Sequence, residues 1–314
     1  MTPEKVMRVY DNRLSITGYR PDLEGKLKNL YEAMYPNHTF SKERFLWRWG
    51  KNPCAKNTVV NIWDGDLLVA HETTNVSWFV VDQKRTLWGL SGTSLALDTY
   101  PGMKLLLSDA RKKLYPEIQE IIGFPNANMY HISVTTKGNH IAGTIPFYYT
   151  ESVRDSREYP IRAVTAFSKE HETLSSTFGR DYQMSVERSA DYLNWRLIEK
   201  PDGEYRAFEY ADYEGIYGYI VLNRYWTGNA FQCQIIDIAA PDDEVFCDLI
   251  RFAAQWAFEN GCEGCKLWMT DTHHRELLDK LSFRAIGPAF SLITTYDGLD
   301  VSDCYITMAV SDIF

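Results

Sequence analysis

Trp47-Arg48-Trp49-Gly50-Lys51-Asn52-Pro53 is the stretch on which the reading turns, because the chain repeats it 148 positions on, from 47 to 195, as Trp195-Arg196-Leu197-Ile198-Glu199-Lys200-Pro201. The register holds on either side. Ala70 and Gly218 each lie 17 residues past their proline, inside apolar runs that read as strands. Ser41-Lys42-Glu43 and Ser189-Ala190-Asp191 precede the two tryptophans, each with a hydroxyl suited to accept from the first free N–H groups of a helix. A repeat near half the chain length predicts two copies of one fold.

The order of elements supports the repeat. Residues 8–11 read as a short strand and 21–35 as a helix, since Leu23, Leu27, Leu30, Tyr31 and Met34 recur at three and four. Residues 41–49 read as a second helix. Strands at 58–63, 67–81 and 85–98 form a meander with turns at Asp64-Gly65 and Asp82-Gln83-Lys84. Helix 103–114, strand 118–124, helix 126–137 and strand 141–150 complete the first copy. The second reads as strand 161–167, helices 168–178 and 185–198, and strands 205–210, 215–222 and 230–240. A helix started by Pro241-Asp-Asp-Glu244 and running to Asn260, strand 266–269, helix 272–281 and closing antiparallel strands at 289–295 and 304–310 follow. The polar stretch 151–160 is the linker, giving domains 1–155 and 156–314.

Composition narrows the class. The 314 residues are 45% hydrophobic and 24% charged, which describes a globular chain. A formal charge of −9 argues against a nucleic-acid binder, whose affinity comes from clustered Lys and Arg. No apolar run approaches a membrane span and the N-terminus has no signal-like core, so the expectation is a cytoplasmic protein without membrane insertion. Six cysteines in so long a chain do not read as a disulfide framework. Cys262-Glu-Gly-Cys265 lacks a second ligand pair at a finger spacing, and the eight residues to His273-His274 supply none, so no metal is expected.

The doubled element order resembles the GNAT superfamily of acyl-CoA-dependent N-acyltransferases, in particular its tandem-domain bacterial members. The local motifs are the Trp47-Arg48-x4-Pro53 helix, Gly-Phe-Pro-Asn at 123–126, and Asp98-Thr99 at the end of the third meander strand. The resemblance covers nearly the whole chain. It implies an α+β fold of two GNAT-like domains, each a mixed, mostly antiparallel sheet flanked by helices. It also implies acyl-CoA as co-substrate and, as acceptor, the amino group of a nucleotide-linked (dTDP-type) amino-deoxysugar for surface polysaccharide. Aminoacyl transfer from tRNA and a non-catalytic binding module are the alternatives.

In that family the third meander strand and the following strand splay apart to receive the pantetheine arm, and the pyrophosphate lies on the next helix N-terminus. Carried over, the CoA contacts are Leu97, Thr99, Gly102, Met103, Lys104, Phe124, Asn126 and Asn128. The family's Gly-rich loop is shortened here to one glycine. Pro241-Asp242-Asp243-Glu244 would repel a pyrophosphate from the second copy, so CoA is assigned to the first. His71 and Asp98 are candidate bases for the amine, and Tyr130 is the candidate acid for the leaving thiolate. A satisfied strand histidine and a packed aromatic are the other readings of His71 and Tyr130. Trp47, Arg48, Tyr219 and Asp237 are the candidate acceptor contacts.

Overall fold

A computed structural model describes residues 2–37, 39–54, 58–136, 139–201 and 203–311, without the side chains of 127, 128, 132, 136, 288 and 289. The chain opens with helix α1 (Pro3–Val9), not the strand expected at 8–11. The reason is local: Thr2 accepts from Lys5 N, Pro3 stands at the first helical position and Glu4 complements the dipole. Left-handed Asp11 and Asn12 then turn the chain into β1 (Leu14–Thr17). Helix α2 (Leu23–Met34) buries Leu23, Leu27 and Leu30, as their spacing predicts.

Helix α3 (Lys42–Phe45) passes into a π-helical turn, Leu46–Gly50. The strands β2 (Val59–Asp64), β3 (Leu67–Val81) and β4 (Lys84–Ala96) follow as the meander. The two-residue turn between β3 and β4 has φ of 46° at Asp82 and 63° at Gln83, the pair of positive values that suits a twisted hairpin. Next come α4 (Met103–Leu114), β5 (Glu120–Gly123), α5 (Ala127–His131) with a π turn at Ile132–Thr136, and β6 (His140–Glu151).

The second half of the chain brings β7 (Ile161–Val164), α6 (Lys169–Phe178) and β8 (Met184–Val186). Helix α7 (Ala190–Leu193) runs into its own π turn, Asn194–Ile198. Strands β9 (Tyr205–Ala211), β10 (Ile216–Trp226) and β11 (Phe231–Ala239) form the second meander. After it come α8 (Asp243–Glu259), β12 (Gly264–Trp268), α9 (Thr272–Lys280), β13 (Arg284–Thr294) and β14 (Cys304–Tyr305). No helix among the described residues is long and apolar enough to cross a membrane.

The 148-residue offset reaches individual hydrogen bonds. Ser41 Oγ accepts from Arg44 N, and Ser189 Oγ from Tyr192 N, each at 3.1 Å. Lys51 N donates to Leu46 O, and Glu199 N to Asn194 O, the i→i−5 bonds of the two π turns. In both copies the third meander strand runs parallel to the next strand, β4 to β5 and β11 to β12. The architecture is α+β, with mostly antiparallel sheet flanked by helices.

Two compact units emerge: Met1–Ser77 with Leu87–His140 and Ile293–Asp297, and Trp78–Thr86 with Ile141–Leu292 and Gly298–Phe314. Residues 141–155, grouped by sequence with the first copy, thus fall in the second unit, where β6 pairs antiparallel with β12. Ile293 and Thr294, the end of β13, pair with Gly123 and Ile122 in the first unit. Two further expectations need correction. Residues 184–186 form a strand against Phe79–Val81, so the helix expected from 185 starts later, behind its Ser189 cap. Residues 304–310 are not an antiparallel strand: Cys304 and Tyr305 pair parallel with Met184 and Ser185, and Met308–Val310 is a 3-10 turn.

Among the described residues of the first unit, two clusters of buried side chains stand out. Val6, Met103, Leu106, Leu107 and Ala110 pack with Val60, Ile62 and Ala70. Leu23, Leu27, Leu30, Phe45 and Trp49 pack with Val59, Trp63, Leu68 and Leu95. In the second, β10, β11 and α8 bury Val221, Leu222, Ile235, Ile236, Leu249 and Ala253.

Candidate functional site

The parallel pairing of β4 with β5 spans three registers, Trp88↔Glu120, Gly89↔Ile121 and Leu90↔Ile122. Gly89 permits this close approach, since a Cβ there would stand 2.4 Å from Thr74 Cγ2 and 2.5 Å from Ile121 Cδ1. β5 then ends at Gly123 while β4 continues to Ala96. Of Ser91–Ala96, all but Leu95 are half-buried. The strand therefore presents half-open backbone where its parallel partner has stopped, the kind of edge to which an extended amide-bearing chain can add.

Four turn residues beyond Leu97 lead to Gly102, at the N-terminus of α4. Its φ is +89°, and a Cβ would meet Val6 Cγ2 at 2.9 Å, so both backbone and packing favour glycine. No side chain caps this helix and its first turn holds no acidic residue. An uncapped helix start offers N–H donors and a positive dipole to an anion. Lys104, in the first turn, donates to Ser94 Oγ at 2.9 Å and to Ser94 O, tying this helix start to the open stretch of β4. Met103 is different: its side chain is buried in the core, which leaves only backbone for ligand contact.

The second unit treats the equivalent place in the opposite way. β11 from Cys233 through Ala239 is buried, and Asp242 Oδ1 accepts from Glu244 N and Val245 N at the start of α8. Asp243 pairs with His273 at 2.7 Å. The donors that would receive a pyrophosphate are already occupied by the protein's own carboxylate.

Of the remaining expected residues, Leu97 is half-buried and Asp98 and Thr99 are exposed, just past β4. Phe124 is buried, and exposed Asn126 accepts from Met129 N at 3.0 Å, a helix-capping bond. The side chain of Asn128 lies outside the described residues. Tyr130 is half-buried on α5, its N–H bonded to Asn126 O and its ring against His131 at 5.9 Å. Trp47 is buried, and the Arg48 guanidinium stands 5.5 Å from the Trp49 ring.

His71 needs correction as a base poised near neutrality. It faces Asn61, whose Nδ2 donates to Gly18 O at 2.7 Å, so the Asn61 Oδ1 accepts from His71 Nδ1–H at 2.7 Å. Full burial pushes the imidazole down to about 3. Phe45 packs against it with ring centroids 6.5 Å apart. The ring is a neutral member of the core, fixed by its amide partner. Burial could not be read from residue 71 because it depends on residues remote in sequence, Phe45 of α3 among them.

Tyr219 and Asp237 also prove to be interior groups. Asp237 has no exposure and takes both Arg188 Nε and Nη2 at 3.0 Å, Tyr219 Oη at 2.9 Å and Thr307 Oγ1 at 2.6 Å. Its acceptor capacity is consumed within the protein. Arg188 is a partner that the sequence reading missed, since no local signal marks a lone arginine after a short strand.

A second missed group is Arg111, buried on α4, whose guanidinium is pushed down by burial and supported by the charges of Glu72 and Glu120. Glu72 lies on β3 and takes a long hydrogen bond from Ser94 Oγ, at 3.5 Å. The clue was available: Arg111 falls four residues after Leu107, on the apolar stripe of α4. Glu72 and Lys104 are thus hydrogen-bonded to Ser94 on the open part of β4, and the charge of Glu72 acts on Arg111.

Neither a protein-family model nor a curated protein matches the sequence. Solved structures match in fold. A GCN5-related N-acetyltransferase from Anabaena variabilis ATCC 29413 superposes with a TM-score of 0.70 at 13% identity, over 90% of this chain and 72% of that one. A probable N-acyltransferase from Enterococcus faecalis V583 gives 0.68 at 12%, over 92% and 74%. Saccharomyces cerevisiae N-myristoyltransferase with bound myristoyl-CoA gives 0.63 at 10%, over 94% and 86%. What this chain shares with those N-acyltransferase structures is their fold.

Proposed function

We propose that the chain is an acyl-CoA-dependent N-acyltransferase whose CoA site lies in the first unit, and whose acceptor is the amino group of a nucleotide-linked, dTDP-type amino-deoxysugar. One observation carries the CoA assignment. β4 outruns its parallel partner and leads to an uncapped α4 start at Gly102, whereas the same place in the second unit is buried and self-capped. The fold shared with a structure that holds myristoyl-CoA supports the donor. The acceptor follows from the resemblance of the doubled element order to tandem amino-sugar acyltransferases.

In this reading the pantetheine arm lies along Ser91–Ala96 and Leu97, and the pyrophosphate sits over the N–H groups of Met103 and Lys104. The neutral amine attacks the thioester carbonyl, the C–S bond breaks, and the amide forms. Tyr130 gives its proton to the departing thiolate. The proton lost from the amine passes to Asp98 or to water, because His71 is too weak a base and too deeply buried to take it.

The test is a thermal shift with acetyl-CoA, longer acyl-CoAs and free CoA, on wild type and Lys104→Glu. Glutamate in a first helical turn is compatible with the dipole but repels a pyrophosphate. Ligand at a hundredfold its dissociation constant stabilises by about 2.7 kcal/mol. Wild-type stabilisation that is lost in the variant supports the site. Absence of any shift at saturating acyl-CoA refutes it. Amide formation on dTDP-linked amino sugars, against simple amines as controls, tests the acceptor.

A further inference from the structure

One face of the second unit's sheet carries a lysine that, among the described residues, meets rings but no carboxylate. Lys266, in the middle of β12, is in register with Gln234 of β11 and Tyr149 of β6, and Gln234 is in register with Asn223 of β10. Register partners share a face. The alternate residues, Cys233, Ile235, Cys265 and Leu267, are buried on the other side. The sheet is thus apolar on one side and polar with aromatic residues on this one.

The Lys266 ammonium stands 4.7 Å from the Tyr225 ring centroid and 5.2 Å from that of Phe147. Among the described residues no carboxylate lies within ion-pair distance of it, and burial alone pushes its pKa down, with no acid offsetting that. Beside it the Tyr225 hydroxyl is buried without a hydrogen-bond partner among the described residues. Two residues along β12, Trp268 packs on Phe147 and Phe290, with centroids 5.8 and 5.2 Å apart. An ammonium and a hydroxyl left without acceptors, next to a wall of rings, ask for an anion attached to a planar group.

We infer that this face binds a nucleotide, its phosphate on Lys266 and the Tyr225 hydroxyl and its base against the half-buried rings of Phe147 and Phe290, which the buried Trp268 backs. Only the identification of that nucleotide as part of the acceptor rests on the acyltransferase reading. The chain's overall charge of −9 offers no general attraction for phosphate, so recognition has to be local, and Lys266 supplies it.

The experiment titrates the full chain with dTDP, thymidine and inorganic phosphate by calorimetry, for wild type, Lys266→Met, Lys266→Arg, Tyr225→Phe and Lys104→Glu. We expect dTDP to bind wild type more tightly than either fragment, and Lys266→Met to weaken it about tenfold or more. Lys266→Arg should retain most of the binding, and Tyr225→Phe should weaken it less than Lys266→Met does. Lys266→Met should melt no lower than wild type, since it removes a desolvated charge that lacks an ion-pair partner. Lys104→Glu should keep dTDP while losing acyl-CoA. Undiminished dTDP binding in Lys266→Met, no dTDP binding to wild type, or loss of dTDP in Lys104→Glu each overturns the inference. If dTDP maps to Lys266 but acyl-CoA never binds, the acyltransferase reading fails and the nucleotide site stands.

Discussion

Replacing Asp237 by asparagine separates an interior strut from a substrate contact. The carboxylate has no exposure and receives four donors, two of them from an Arg188 that is 4% exposed. Asparagine keeps the shape but removes the counter-ion and turns an amide N–H2 toward a guanidinium. Taking one partner from a buried ion pair costs about 3–5 kcal/mol, because the other charge stays desolvated. That is a large share of a typical stability of about 5–15 kcal/mol. The double variant Arg188→Met with Asp237→Leu removes both charges, so its penalty should reduce to the partners lost by Tyr219, Thr307 and the Val186 carbonyl, about 1 kcal/mol each. Urea unfolding at neutral pH measures all three proteins, with an unchanged m-value confirming that only stability moved. The double variant should be more stable than Asp237→Asn alone. A loss below about 1 kcal/mol in Asp237→Asn, together with a raised KM for the acceptor, would falsify the strut and restore Asp237 as an acceptor ligand.

Other consequences follow from single groups. His71 titrates near 6.5 when unfolded but only at about 3 when folded, so the unfolded chain binds the extra proton between those values. Stability from this group is full above pH 6.5 and falls as pH drops toward 3, by up to about 1.4 kcal/mol per pH unit; in His71→Gln that part of the acid slope should vanish, and identical slopes would refute the burial argument. Gly89→Ala should destabilise by about 1–3 kcal/mol through contact with Thr74 and Ile121, and should weaken acyl-CoA binding by disturbing the start of the β4–β5 divergence. Tyr130→Phe should lower kcat about a hundredfold while leaving the acyl-CoA thermal shift intact; an unchanged kcat would remove it as the acid.

What the sequence disclosed follows from how local each signal is. The helix over 103–114 and the cap at Ser189 depend on residues within a turn or two, and both are where the pattern placed them. The 148-residue offset was legible because Trp, Arg and Pro repeat, and it extends to equivalent π turns. Strand partners are another matter, since a strand's own residues say which face is apolar but not which edge it joins. β6 and the end of β13 therefore join units that sequence order did not assign them, and the apolar run at 304–310 reads as a strand although only Cys304 and Tyr305 pair. Site chemistry has the same limit. The burial that depresses His71 and the closure of Asp237 involve Phe45, Arg188 and Thr307, each remote in sequence from the group it meets.

The contrast between the two copies can itself be tested at Asp242. Its carboxylate bonds two N–H groups at the start of α8, at 2.8 and 3.1 Å, and the loss of such a cap costs about 0.5–2 kcal/mol. If that cap alone kept the second copy from binding CoA, Asp242→Ala would create a second site with the open helix start that Gly102 gives the first. The burial of β11 argues otherwise. A pantetheine arm needs strand backbone it can reach, and Cys233–Ala239 offer none, whereas Ser91–Ala96 are largely half-exposed. Asp242→Ala should therefore lose stability while still binding one acyl-CoA per chain. A stoichiometry of two by calorimetry would show that the helix cap, and not the buried strand, decides which copy can work.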